Sequence, residues 1–166
     1  MLAIAAEGYG EIAGIEPEAV RARFLAETGY ATAKVGADAA IFRDDDRILL
    51  LRRADDGKWG LVSGWVDPNE SPEQTLVREI AEEIGVRGRV DQLVGAFARP
   101  AGTETPHGTV SIVYLCSIES NAFRLQPHEV LEVAWHEIES VTDWHHAHGT
   151  WARVAREAWW RFRAGL

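Results

Sequence analysis

The chain has 166 residues, enough for one domain with a real core, and 46% hydrophobic with 26% charged residues is ordinary globular composition. Its 17 Lys and Arg stand against 26 Asp and Glu, for a net charge of −9. That excludes a general binder of nucleic acid or of anionic membranes, which needs a basic patch, and an anionic ligand must be met by a metal or by a few well-placed arginines. One cysteine, Cys116, rules out an intrachain disulfide and points to a reducing, cytoplasmic compartment. No signal peptide and no membrane span is read from the N-terminal MLAIAAEGYGEIAG.

In chain order, residues 1–33 read as a helical extension and 34–166 as the main domain. EPEAVRARFLAET, Glu16 to Thr28, has Pro17 near a helix start, Gly29 after its end, and a stripe of Val20, Phe24 and Leu25. This helix either packs on the domain or serves as a dimer arm or lid. ADAAIF (Ala37–Phe42) and RILLLR (Arg47–Arg52) read as two strands of a hairpin around the turn RDDD. Asp55, Asp56 and Gly57 form a second turn, and Trp59–Val62 a short strand. Further on, Val90–Arg99, the β-branched Thr109–Ile118 and Val130–Trp135 read as strands, with a breaker-rich loop at 100–108. Thr150 is expected to cap a last helix, whose apolar face is Trp151, Val154, Ala155, Ala158, Trp159 and Phe162. The pattern describes an α/β protein, a mixed sheet flanked by helices.

The most informative stretch is GWVDPNESPEQTLVREIAEEIGV, Gly64 to Val86. Ser71 and Gln74 form a capping box, Pro72 takes the first helical position and Gly85 the exit. Leu76, Ile80 and Ile84 make an apolar stripe. Glu79, Glu82 and Glu83 share another face, because residues three and four apart are helical neighbours. Three crowded carboxylates repel one another unless they are solvated, ion-paired or gathered on a hard divalent cation such as Mg²⁺ or Mn²⁺.

This stretch resembles the signature of the Nudix hydrolases, G-x5-E-x7-R-E-U-x-E-E-x-G-U with U a bulky aliphatic. Gly64, Glu70, Arg78, Glu79, Ile80, Glu82, Glu83, Gly85 and Val86 fill every specified position. So many fixed positions coincide by chance on the order of once in 10⁹ windows. The resemblance implies a Nudix-type α/β/α sandwich and metal-dependent hydrolysis of a diphosphate bond, with Mg²⁺ or Mn²⁺ as cofactor. It implies Glu82 and Glu83 as metal ligands, Glu79 as ligand or base, and Arg78 as the residue that orients a carboxylate. Glu70 would tie the loop to the helix or bind a further metal through water, and Gly64 would permit a backbone bend. Many members carry a second glycine before the box, whose carbonyl meets the metal; here Ser63 stands there, and a carbonyl survives any side chain. A loop carboxylate beyond the box often serves as ligand or base, which leaves Glu129 or Glu132, with Glu129 preferred.

Trp65, next to the box glycine, and His107, in the breaker-rich loop, are candidates for contacting substrate; Trp59 and Trp135 read as core. His145, His146 and His148 lack the spacing of a zinc site and read as loop or cap residues. The implied partner is a small nucleotide derivative, and a homodimer is compatible with the family. In this family a proline about fifteen residues past the box accompanies ADP-ribose enzymes, and Pro100, 14 positions after Val86, resembles it; the resemblance implies a nucleoside diphosphate linked to another moiety, ADP-ribose or a nucleotide sugar first. A nucleoside triphosphate pyrophosphohydrolase is the second reading. Two readings from other classes are a non-catalytic ligand sensor and an isomerase that uses Cys116, though Cys116 reads as mid-strand core.

Overall fold

The computed structural model describes residues 2–26, 32–100, 102 and 108–165. The chain divides into two compact units, residues 1–33 and 34–166. In the first, α1 (Leu2–Ala13) and α2 (Pro17–Ala26) pack against each other, and the Ile15 N–H closes the turn between them on the Gly10 carbonyl at 3.0 Å. Only the second helix is legible in the sequence. Gly8 and Gly10 weaken the helical signal of the first, which reads merely as an apolar patch.

The second unit is an α/β sandwich around two sheets. One is mixed, with order β4-β1-β6-β5: β4 (Val62–Trp65), β1 (Lys34–Ile41), β6 (Thr109–Ile118) and β5 (Gly88–Arg99). Here β1 and β6 run parallel and the other pairs antiparallel. The second sheet, order β3-β2-β7, is antiparallel and joins β3 (Trp59–Gly60), β2 (Ile48–Arg53) and β7 (Val130–His136). The expected hairpin of β1 and β2 does not form. After one bridge between Phe42 and Ile48 the two strands part into different sheets, β2 finding six register partners on β7. Likewise Trp59–Val62 is not one strand, because the chain crosses between the sheets at Leu61.

Side-chain alternation builds two cores. Leu49 and Leu51 of β2, with Ala37, Ala39, Tyr114 and Cys116, face α3 (Pro72–Ile84), whose Leu76, Ile80 and Ile84 are fully buried. Ile48 and Leu50, with Ala40, Val113 and Leu115, face α4 (His148–Arg163) and its Trp151, Ala152, Ala155 and Trp159. Val154 and Phe162, expected on the apolar face of α4, are exposed. The helix begins at His148, before Thr150, behind Ala147 with no side-chain cap. Cys116 is buried in β6. Among the described residues no helix is long and apolar enough to cross a membrane.

Candidate active site

The site is built around α3 and the short strand before it. Ser71 accepts from the Gln74 N–H at 3.2 Å, the Gln74 side chain accepts from the Ser71 N–H at 2.8 Å, and Gly85 ends the helix at φ 69°. These caps fix where Glu79, Glu82 and Glu83 point. Gly64 lies in regular strand β4, outside the left-handed region, so the expected bend is absent. Its role is close approach: a Cβ there would overlap Glu79 Oε1. The Glu79 carboxylate occupies the room that any side chain at position 64 would need.

Arg78 organises the outer side. Its Nε and Nη2 donate to the two oxygens of Glu70 at 3.1 and 3.0 Å, and its Nη1 to Glu79 at 2.8 Å and Glu82 at 3.1 Å. This ties the loop before the helix to the helix itself, and such forked pairing is specific to a planar guanidinium. Arg78 does not line the cleft.

On the inner side Glu83 is only 4% exposed, and the Ser63 N–H donates to its Oε2 at 3.2 Å. Burial and the neighbouring Glu79 push the Glu83 carboxyl up to about 8, and Glu129 adds to the rise. Burial also raises Glu79, opposed by Arg78 and reinforced by Glu82 and Glu129. Proximity of like charges in a desolvated place produces such shifts, and a divalent cation relieves them. Ser63 pairs with Asp38 across β4 and β1. The Val66 N–H donates to Val35 O, so by strict alternation Ser63 and Asp38 form a non-hydrogen-bonded pair. The Ser63 carbonyl therefore points, like its N–H, away from β1 and toward the Glu83 side. Clustered carboxylates and an outward carbonyl are the hard oxygen donors that Mg²⁺ or Mn²⁺ prefers, so the residues present fit such an ion.

A cleft of about 350 Å³ opens here, lined by Ser63, Gly64, Trp65, Glu79, Glu83 and Glu129 and also by Asp38, Arg53, Arg99, Ser111, His145 and His148. Glu129 lines it, whereas Glu132 reaches toward Arg52 at 3.9 Å and lies outside. Trp65 stands at the cleft, 44% exposed, with the Lys34 ammonium 4.4 Å from its ring centre. Trp59 packs edge-on against His136 and Trp135 against the α3-side core. Glu82 sits on the outer rim, more than half exposed. His107 lies outside the described residues.

The Asp38 and His148 wall of the cleft was not singled out from the sequence. Asp38 is 3% exposed, accepts from the Ser111 hydroxyl, and is pushed by burial up to about 7 against the pull of Ser111, Arg99 and Arg53. His148 is buried, and burial holds its ring well below the usual histidine range, hence neutral. The Leu61 N–H donates to its Nδ1 at 2.9 Å, so its single proton sits on Nε2, 3.5 Å from Asp38 Oδ1. His145 Nδ1 meets Asp56 Oδ2 at 2.7 Å. Asp55, Asp56 and His145 bring three donor atoms within 4.8 Å of one another. Arg53 already takes both oxygens of Asp55, however, at 3.0 and 2.9 Å. The one available signal was Asp38 itself, a lone carboxylate inside the apolar run ADAAIF.

A mixed α/β sandwich whose capped helix presents clustered carboxylates at a cleft belongs to the class of proteins built to hold a hard cation on oxygen ligands. A family model described as NUDIX domain matches residues 32–155, and the chain belongs to the Nudix hydrolase family. A MutT-like protein of Streptomyces ambofaciens is 33% identical over 109 residues, 66% of this chain and 67% of that protein. A putative 8-oxo-dGTP diphosphatase of Bacillus subtilis (strain 168) is 38% identical over 72 residues, 43% of this chain and 48% of the relative. The matched region is thus about two thirds of the length of the first relative and about half of the second. Among solved structures, a MutT NUDIX hydrolase from Burkholderia pseudomallei is similar at a TM-score of 0.62 and 31% identity, over 76% of this chain and 97% of that one.

Proposed function

We propose that the domain at 34–166 hydrolyses a diphosphate bond in a nucleoside diphosphate linked to a second moiety, ADP-ribose or a nucleotide sugar first, with Mg²⁺ or Mn²⁺. The observation that carries this reading is the pair of half-buried Glu79 and buried Glu83 at the cleft, with raised carboxyl pKa values and the outward Ser63 carbonyl beside them. Glu79, Glu82, Glu83 and the Ser63 carbonyl would hold the ion. When bound, it supplies shielding of the phosphate charges and a more acidic attacking water. Arg78 holds the glutamates in place from outside the cleft. Glu129, on the cleft wall and free of helix constraints, is assigned as the base that takes the proton of the attacking water. Arg53 and Arg99 supply the local positive charge that an acidic chain needs to meet an anionic substrate. Trp65 offers a ring at the cleft for a planar group.

Pro100 favours the linked-moiety substrate over a triphosphate. The name of the Bacillus relative favours the second reading, a nucleoside triphosphate pyrophosphohydrolase. The lone buried thiol of Cys116 suits a cytoplasmic setting. The helical unit at 1–33 is assigned as an extension able to join two copies, which light scattering of the full chain against 34–166 tests. Product mass after incubation of ADP-ribose, nucleotide sugars and nucleoside triphosphates with Mg²⁺ or Mn²⁺ tests the reaction. Cleavage at a phosphoanhydride is expected, and ligand binding without turnover of any member would overturn the reading in favour of a sensor.

A further inference from the structure

The cleft passes around the edge of β4, and the two faces of that strand serve different walls of it. Val62 and Gly64 point to the α3 side, where Val62 joins the core and Glu79 covers Gly64. By alternation Ser63 and Trp65 point to the α4 side. Their register partners on β1 are Asp38 and Gly36, and Gly36 in turn pairs with Ser111 on β6. One row of this face therefore reads Trp65, Gly36, Ser111, and the next row holds Ser63 and Asp38. A methyl group at Gly36 would meet nothing closer than the Gly64 carbonyl at 3.5 Å and the Trp65 ring at 3.7 Å. The Trp65 ring thus lies within ordinary contact distance of the Gly36 backbone, and Gly36, Trp65, Ser111 and Asp38 all line the cleft, whose volume of about 350 Å³ is within the range of small-molecule pockets.

Here Asp38 has acceptor capacity to spare. A carboxylate offers about four acceptor sites. The Ser111 hydroxyl takes one, and His148 Nε2–H stands 3.5 Å from Oδ1, longer than an ordinary hydrogen bond. The Leu61 N–H pins His148, which in turn limits how Asp38 can turn. A buried acceptor of fixed direction at the wall of an open slot is suited to reading one polar edge of a flat ligand. None of these groups is needed to bind an ion between the glutamates.

We propose that Asp38 is a specificity-determining residue, accepting a hydrogen bond from the exocyclic amino group of a nucleobase bound in the cleft beside Trp65. The inference rests on the nucleotide-hydrolase reading and narrows it to substrates with amino-bearing bases, adenine and cytosine before hypoxanthine and uracil. An amino group donates to the carboxylate. A carbonyl in its place sets acceptor against acceptor.

Nucleoside monophosphates have no phosphoanhydride, so their binding can be measured without turnover. Calorimetry is run at about pH 8.5, where Asp38, pushed by burial up to about 7, is ionised and accepts only. AMP against IMP and CMP against UMP compare a donor with an acceptor at one ring position. For the wild type the amino member of at least one pair is expected to bind about tenfold or more tightly. Asp38→Asn keeps an acceptor for Ser111 and can present either its oxygen or its amide to the ligand. It is expected to shrink that ratio to about threefold or less. Ser111→Ala, a milder change that frees the carboxylate to rotate, is expected to shrink it in part. An Asp38 that merely braced the fold would lower the melting temperature and all four affinities together, leaving the ratio intact. Equal binding within both pairs, no binding of any of the four, or an unchanged ratio in Asp38→Asn overturns the assignment. Turnover without base discrimination sinks only the role of Asp38, and base-selective binding without turnover sinks only the hydrolase reading.

Discussion

Helices α3 and α4 cover opposite faces of the same sheets, and both bury an apolar stripe, yet they bring chemistry to the cleft in different ways. On α3 the functional groups and the devices that aim them are neighbours in sequence. Ser71, Gln74 and Gly85 set its ends, and Arg78 grips Glu70, Glu79 and Glu82 within a span of thirteen residues. On α4 the only cleft residue is its first, His148, which is aimed by Leu61 and faces Asp38, both far away in the chain. The first helix is a self-contained instrument. The second is oriented entirely by its tertiary partners.

The sharpest way to break this comparison is to remove one charge from α3. Glu83→Gln is expected to lower kcat by about 10³-fold or more, since a metal ligand supplies several kcal/mol of charge stabilisation. The melting temperature should hold or rise, because the mutation removes a buried carboxylate that burial and Glu79 disfavour. Steady-state kinetics with circular dichroism melts checks both, and near wild-type turnover would show that α3 does not carry the chemistry. Gly64→Ala comes next. Its methyl group must displace Glu79, and a loss of about 10²-fold in kcat is expected from a shift of that size in a reacting group, with little change in secondary structure. Retention of full activity would mean that the position of Glu79 is unimportant.

A third test uses pH. Glu83 titrates near 8 in the fold and near its ordinary 4.5 when unfolded, so the folded chain holds a proton that the unfolded chain gives up. Its contribution is fully present below about 4.5 and is lost as pH rises through about 8; Asp38, near 7, acts in the same direction. The ion-free protein should lose several °C of melting temperature between pH 5 and pH 8.5, and added Mg²⁺ should recover part of the loss at the alkaline end. Scanning calorimetry in chelator and in Mg²⁺ measures this, and a flat ion-free profile would contradict it. The smallest effect compares the two helix starts. Ser71→Ala should cost about 1 kcal/mol, whereas Thr150→Ala, inside α4 and not at its cap, should be nearly neutral. Equal losses in urea melts would erase the distinction.

That difference also explains what could be read before any coordinates. Everything on α3 follows local rules of spacing, capping and charge, so the box, the caps and the apolar stripe stand out. Strands Thr109–Ile118 and Val130–His136 emerge nearly whole for the same reason. The partner of a strand is a global choice, and RILLLR looks equally fit for β1 or for β7; the hairpin expectation fails there. Asp38 and His148 gain meaning only when β1, the Leu61 crossing and α4 meet, and a single aspartate in an apolar run or three histidines in a loop carry no local rule that pairs them.

Strand β4 has four residues, and each of its sides has a separate duty. A slip of one position would send the serine and tryptophan to the glutamates and the valine and glycine to the open slot, inverting the whole arrangement at once. The glutamate seated on a bare backbone acts as a detent against that slip, since only one residue in the strand leaves space for it. Single-residue insertions or deletions between Trp59 and Val62 therefore strike harder than their length suggests, whereas the turns at Arg43–Asp46 can lengthen without disturbing that alignment.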